Sequence, residues 1–225
     1  MKNLFKSLLL LGLALAATSC LTFEENYTFN EDGSGKMALM LDLSQIAAFV
    51  PEGPERDSLF LMKEIFTEME AEISDLDGIS VVEVVEDRDN LRLGIRYAFS
   101  DLESLNNALN TMLVAESVSD NHAFFAEEGK AIVRTNLPSS EGITLVEGMA
   151  QGLMAEMGGE EEQASYLLES MNYKLNLEFP SRVKVVYAEA EVEVDEENRR
   201  QVSLTTNFSS IMSDRGELSG AFVLK

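Results

Sequence analysis

The chain has 225 residues, 17 basic and 40 acidic side chains, a formal charge of −23 and 45% apolar residues. A surface of that sign is repelled by phosphates, which argues against nucleic acid and against adhesion to an anionic leaflet by charge alone. A single cysteine and a single histidine exclude an intramolecular disulfide, a thiolate metal cluster and the common histidine-rich metal sites, so neither metal nor cofactor is expected.

The first residues, Met1-Lys2-Asn3-Leu4-Phe5-Lys6, carry two positive charges and lead into an apolar run from Leu8 to Ala17. That run is too short for a bilayer-spanning helix, which needs about 20 apolar residues, and it ends in small side chains as a cleavable leader does. Ala17-Thr18-Ser19-Cys20 resembles the lipobox of bacterial lipoproteins. The expected processing removes residues 1–19 and leaves Cys20 as the lipid-modified first residue, which also explains why an unpaired cysteine stands at that one position. Several acyl chains give a stable anchor where a single chain gives marginal binding. Loss of Lys2 and Lys6 lowers the basic count from 17 to 15 and moves the charge from −23 to −25. The remaining residues, 20–225, are expected to form one envelope domain.

Within that domain, Tyr27 and Phe29 alternate with polar residues up to Asp32-Gly33-Ser34-Gly35, and Met37, Leu39, Leu41 and Leu43 alternate after it, which predicts a β-hairpin. From Ser58 to Leu76 the apolar residues Leu59, Met62, Phe66, Met69, Ile73 and Leu76 fall at helical spacing, and Asp75-Leu76-Asp77-Gly78 stops the helix. A second hairpin is predicted over Ile79–Val85 and Leu91–Phe99. Ser100-x-x-Glu103 reads as a capping box that starts a helix through Leu102, Leu105, Leu109 and Met112. A third hairpin follows over Ala123–Ala126 and Ala131–Thr135, turned at Glu128-Gly129. The stretch 143–171 is helical in period, interrupted at Gly158-Gly159. Five strands then close the chain, around Tyr173–Phe179, Val183–Tyr187, Ala190–Val194, Val202–Phe208 and Leu218–Leu224. The expected fold class is α+β: a curved antiparallel β-sheet built from hairpins, with amphipathic helices packed on one face.

The candidate chemistry is sparse. Asn30-x-Asp32-x-Ser34-Gly35 has the first half of a calcium loop, but the position that needs a bidentate Glu is Leu41, so a tight turn is the expected reading. His122 has no Ser or Cys motif as a partner. The acidic runs Glu160-Glu161-Glu162 and Asp195-Glu196-Glu197 are expected at a helix start and a turn, as solvated faces. Met62, Met69, Met112, Met149, Met154, Met157 and Met171 all lie in predicted helices, where they fill a core or line an apolar cavity.

The lipobox cysteine, the early hairpin with its Asp-Gly-Ser-Gly turn, Tyr97-Ala98-Phe99-Ser100-Asp101-Leu102 and Leu177-Glu178-Phe179-Pro180-Ser181-Arg182-Val183 together resemble the LppM-type domain of bacterial lipoproteins. The resemblance implies an α+β domain with a barrel-like sheet and an apolar cavity, proposed in that family to hold lipid or glycolipid. This sequence departs from the pattern in lacking a C-terminal transmembrane helix and tryptophan, and in the insertion at 143–171.

The expected function is that of a membrane-anchored, non-catalytic envelope lipoprotein that binds a lipid-like ligand or an envelope protein. A structural or assembly lipoprotein and an acid-dependent hydrolase are the alternatives. Leu21 stands where an aspartate would have resembled the inner-membrane retention signal of enteric bacteria, which points to the outer membrane.

Overall fold

The computed structural model describes residues 21–44, 60, 62–113, 121–135, 171–207 and 218–225. The leader, Cys20 and the insertion predicted at 143–171 lie outside these residues, apart from Met171. In chain order the elements are β1 (Thr22–Phe29), β2 (Gly35–Asp42), α1 (Lys63–Ile73), β3 (Ile79–Asp87), β4 (Arg92–Phe99), α2 (Leu102–Leu113), β5 (Phe125–Glu128), β6 (Ala131–Arg134), β7 (Asn172–Glu178), β8 (Val183–Ala188), β9 (Glu191–Val194), β10 (Gln201–Asn207) and β11 (Gly220–Leu224). The fold class is α+β, as the sequence predicts.

The strands form two open sheets, in the orders β3-β4-β2-β1-β7-β10-β9 and β5-β6-β11-β8. The antiparallel-dominated sheets are those the hairpins predict, but they are open, which corrects the barrel-like closure that the resemblance implies. All neighbours are antiparallel except β1 and β7, which run parallel from Thr22↔Asn172 to Thr28↔Glu178. Hairpin patterns cannot reveal that pair, because parallel neighbours are joined through a crossover rather than a turn. Between β8 of the smaller sheet and β9 of the larger, the connection is only two residues, Glu189-Ala190.

One face of the large sheet is apolar because the period of two is kept in register across strands. Tyr97, Met37, Tyr27, Leu177 and Val202 make one row, and Ile95, Leu39, Glu25, Leu175 and Leu204 make the next. Every member of both rows is buried, the charged Glu25 included. Helix α1 contributes Phe66, Met69 and Ile73 to the same core, and α2 contributes Leu105, Leu109 and Met112. Both helices pack at the β3–β4 end of the sheet. The smaller sheet adds Phe125, Ile132 and Phe222. Met62, Met69 and Met112 are packing residues in this core. Met171 is buried as well but precedes β7 instead of lying in a helix, which corrects the helical reading of that residue.

Helix α1 gives way to a turn that reaches Gly78 at φ +80°. A Cβ there would lie 2.5 Å from the Ser100 hydroxyl and 2.7 Å from the Ser104 Cβ, so glycine serves both the turn and the approach to α2. The start of α2 lies one residue beyond the predicted capping box. Asp101 Oδ1 accepts from the Ser104 N–H at 2.8 Å, and the Asp101 N–H donates to Ser104 Oγ at 3.2 Å. The box is therefore Asp101-x-x-Ser104, and Ser100 is left to donate to the Asp101 carboxylate at 2.9 Å. The Ser104 N–H, with help from the Ser100 and Ser104 hydroxyls, holds the Asp101 carboxyl below the usual carboxylate range. Asp101→Ala is expected to lower stability by about 1 kcal/mol, read as a shift in the urea midpoint. The part of that contribution that depends on the charge is present above the unfolded pKa of aspartate and is lost as pH falls through the lowered folded value.

Candidate functional site

Three places in the fold bring functional side chains together. The first is a charged cluster between the two sheets. Phe23, Glu25, Tyr27 and Phe29 all point inward from β1, so the same alternation that builds the core drives a carboxylate into it. Arg134 reaches the cluster from β6 by the alternation of Ile132 and Arg134. Both charged side chains are 1% exposed, and Arg134 Nη2 donates to Glu25 Oε2 at 3.3 Å. The Tyr27 hydroxyl donates to the same oxygen at 2.7 Å, and the Tyr173 hydroxyl donates to Oε1. The guanidinium lies over the rings of Phe124 and Phe125, at 5.0 and 5.1 Å, and Nη1 donates to the Thr135 carbonyl at 2.5 Å.

Taking a carboxylate and a guanidinium out of water costs several kcal/mol each, which a pair offsets only with further hydrogen bonds. Two tyrosine hydroxyls and a carbonyl supply these, two aromatic faces add cation–π contact, and Arg134 Nε has no partner among the described residues. Glu25 is thus committed on both oxygens and faces packed side chains rather than a cleft. It clasps the two sheets.

Burial, and next the charge of Glu25, pushes the Tyr27 hydroxyl well above its ordinary value, and the same causes act on Tyr97 and Tyr173. Because the folded pKa is raised, the stability these groups contribute is complete below about pH 10, the unfolded tyrosine value, and is lost as pH rises beyond it. A thermal midpoint that is flat up to about pH 9.5 and falls above about pH 10 is expected, with the tyrosinate absorbance of the buried rings appearing together with unfolding.

The second place is an open groove of about 510 Å³ where α2 meets the start of the third hairpin and the β1–β2 turn. Asn106 and Asn110, one helical turn apart, clasp the neighbouring backbone as a strand would. Asn106 accepts from the Phe125 N–H at 2.9 Å and donates to its carbonyl at 2.8 Å. Asn110 does the same for His122, at 2.8 Å each way. These clasps hold residues 122–124 against the helix, and β5 starts at Phe125 rather than at the predicted Ala123.

His122 lines the groove, edge-on to Phe124 with ring centroids 4.8 Å apart, and its Nε2 lies 3.5 Å from the Thr135 carbonyl. Asp32, Glu103, Asn107, Asn121 and Glu127 also line it, and among the described residues its walls contain neither lysine nor arginine. The groove therefore suits a neutral polar or cationic group and repels an anionic one.

Asp32 also settles the calcium-loop question. Its Oδ1 accepts from the Ser34 hydroxyl at 2.6 Å and from the Ser34 N–H at 3.1 Å, and Gly33 has φ +82°. Leu41, at the twelfth position, is fully buried in β2. The motif is a hydrogen-bonded turn. Asp195 likewise folds its own turn by accepting from the N–H groups of Glu197 and Asn198 at 2.8 and 3.0 Å. Among the described residues no three His, Asp or Glu side chains are placed to share a metal ion. Glu160-Glu161-Glu162 lies outside the described residues.

The third place is the start of β1. Leu21 is fully buried, and its carbonyl accepts from the Asn172 N–H at 2.9 Å. The residue that follows Cys20 is thus already part of the core.

No protein-family model matches the sequence, and no curated protein matches it at significance. Among solved structures, the chain is similar to the folded domain of LppM from Mycobacterium tuberculosis, determined by NMR. The likeness covers 92% of this chain and 90% of that one, with 11% identity and a TM-score of 0.40.

Proposed function

We propose that the chain is a lipid-anchored lipoprotein of the bacterial envelope, held through Cys20, most simply at the outer membrane, and that it binds an envelope partner at its polar groove rather than catalysing a reaction. The observation that carries this reading is the burial of Leu21 beside a lipobox cysteine. A cut between Ser19 and Cys20 leaves a chain whose second residue, Leu21, is already part of the core. The groove supports binding in preference to catalysis, because Asn106 and Asn110 are spent on backbone clasps and Glu25, the most deeply buried carboxylate described, is spent on the clasp between sheets.

Cys20→Ala is expected to move the protein from the membrane fraction to the soluble fraction. Retention in the membrane would overturn the anchor. For the partner, a photo-crosslinking side chain at Asn107 or Glu127 is expected to give a discrete adduct in whole cells. Equal labelling from Glu193, exposed on β9 at the edge of the large sheet away from α2, would count against the groove.

A further inference from the structure

We infer that the domain stands on its membrane by one end of the large sheet, with the strands running away from the leaflet and the groove at the far end; this rests on the lipidation of Cys20 proposed above. The peptide unit between Cys20 and Leu21 spans about 3.8 Å from Cα to Cα. Because Leu21 is fully buried and its carbonyl is bonded to Asn172, no flexible tether intervenes between the acyl chains and the fold. The surface around Leu21 must therefore meet the headgroups.

That surface can be named from the strand register. Asp87, Arg92, Asp42, Thr22, Asn172 and Asn207 form one row across six strands, and the turn Arg88-Asp89-Asn90 projects beyond it. Among the described residues, the row and turn together hold two arginines against three aspartates, near balance in a chain of charge −23. The described part of this end is thus nearer neutral than the chain as a whole and is less repelled by a headgroup layer. From Thr22 to Phe29 the eight residues of β1 climb about 23 Å at ~3.3 Å per step. They end at the Asn30–Ser34 turn, whose Asp32 and Gly33 form part of the groove wall. The groove is then presented to partners in the aqueous space and held away from lipids of the anchoring leaflet.

The test uses the full lipidated protein, reconstituted in phosphatidylethanolamine and phosphatidylglycerol vesicles that contain a lipid with a headgroup nitroxide. The thiol of Cys20, the only cysteine, is taken up as a thioether, so an introduced cysteine is the one site a thiol-reactive dye can label. Asp89→Cys probes the proposed contact end. Glu31→Cys and Glu197→Cys probe the far end; all three positions are exposed. Quenching at position 89 several-fold stronger than at 31 and 197 is expected. Equal quenching at all three positions, or stronger quenching at the far end, would overturn the orientation while leaving the anchor standing. An intact mass without acyl chains would instead overturn the anchor, and the orientation with it.

Discussion

Arg134→Met is expected to cost about 3–5 kcal/mol of folding stability, because it strands the Glu25 carboxylate between two sheets. Glu25→Leu should cost at least as much, since it strands a guanidinium that is 1% exposed and also deprives Tyr27 and Tyr173 of their acceptor. The double variant is the informative one. With both charges gone, the remaining penalty is two buried hydroxyls without partners, at about 1–3 kcal/mol each. Glu25→Leu with Arg134→Met should therefore be more stable than the sum of the two single losses by on the order of 3 kcal/mol, read from urea midpoints of all four proteins. Simple additivity would mean that the two residues do not act as a pair.

The second large effect is expected at Phe29. Its ring stacks on Phe179 at 5.6 Å and meets Phe99 and Phe125 edge-on at 5.9 and 5.5 Å. It thus touches β4, the smaller sheet and the turn that follows β7. Phe29→Ala is expected to cost about 3–5 kcal/mol, since rings held by two sheets cannot collapse into the space it leaves. Phe29→Leu keeps most of the volume and should cost less than about 1.5 kcal/mol beyond the aromatic contacts it loses. A calorimetric midpoint for Phe29→Ala close to that of the unaltered protein would show that these rings do not join the layers.

The hairpins were legible because their chemistry is local. Asp32-Gly33, Asp87 to Asn90 and Glu128-Gly129 are turns made by neighbouring residues, and alternation on each side sets which side chains point inward. The helices were legible from Phe66, Met69 and Ile73 and from Leu105, Leu109 and Met112 at spacings of three and four. What escaped the sequence depends on partners far along the chain. The parallel pairing of β1 with β7 joins residues 150 apart (Asn26 and Asn176), and the division into two sheets falls at a two-residue connection, Glu189-Ala190, that looks like any short turn.

The clasp at Glu25 was half visible. Phe23-x-Glu25-x-Tyr27-x-Phe29 places one carboxylate on a strand face that is otherwise aromatic, a mismatch that marks either a strand end or a buried charge. Arg134 could not be named as its partner, since 109 residues separate them. The groove was invisible for a related reason. Asn106 and Asn110 read as ordinary polar residues on a helix, and only the folded chain shows that they hold residues 122–125. Ser100-x-x-Glu103 was misread by one position because Asp101 offers a stronger acceptor than the serine before it.

The most direct test of the central claim is the intact mass of the native protein extracted from bacterial membranes, together with the identity of its first residue. A chain that starts at Cys20 and carries the added mass of a diacylglycerol is the predicted result. A chain that starts elsewhere, or a Cys20 with a free thiol, would contradict it.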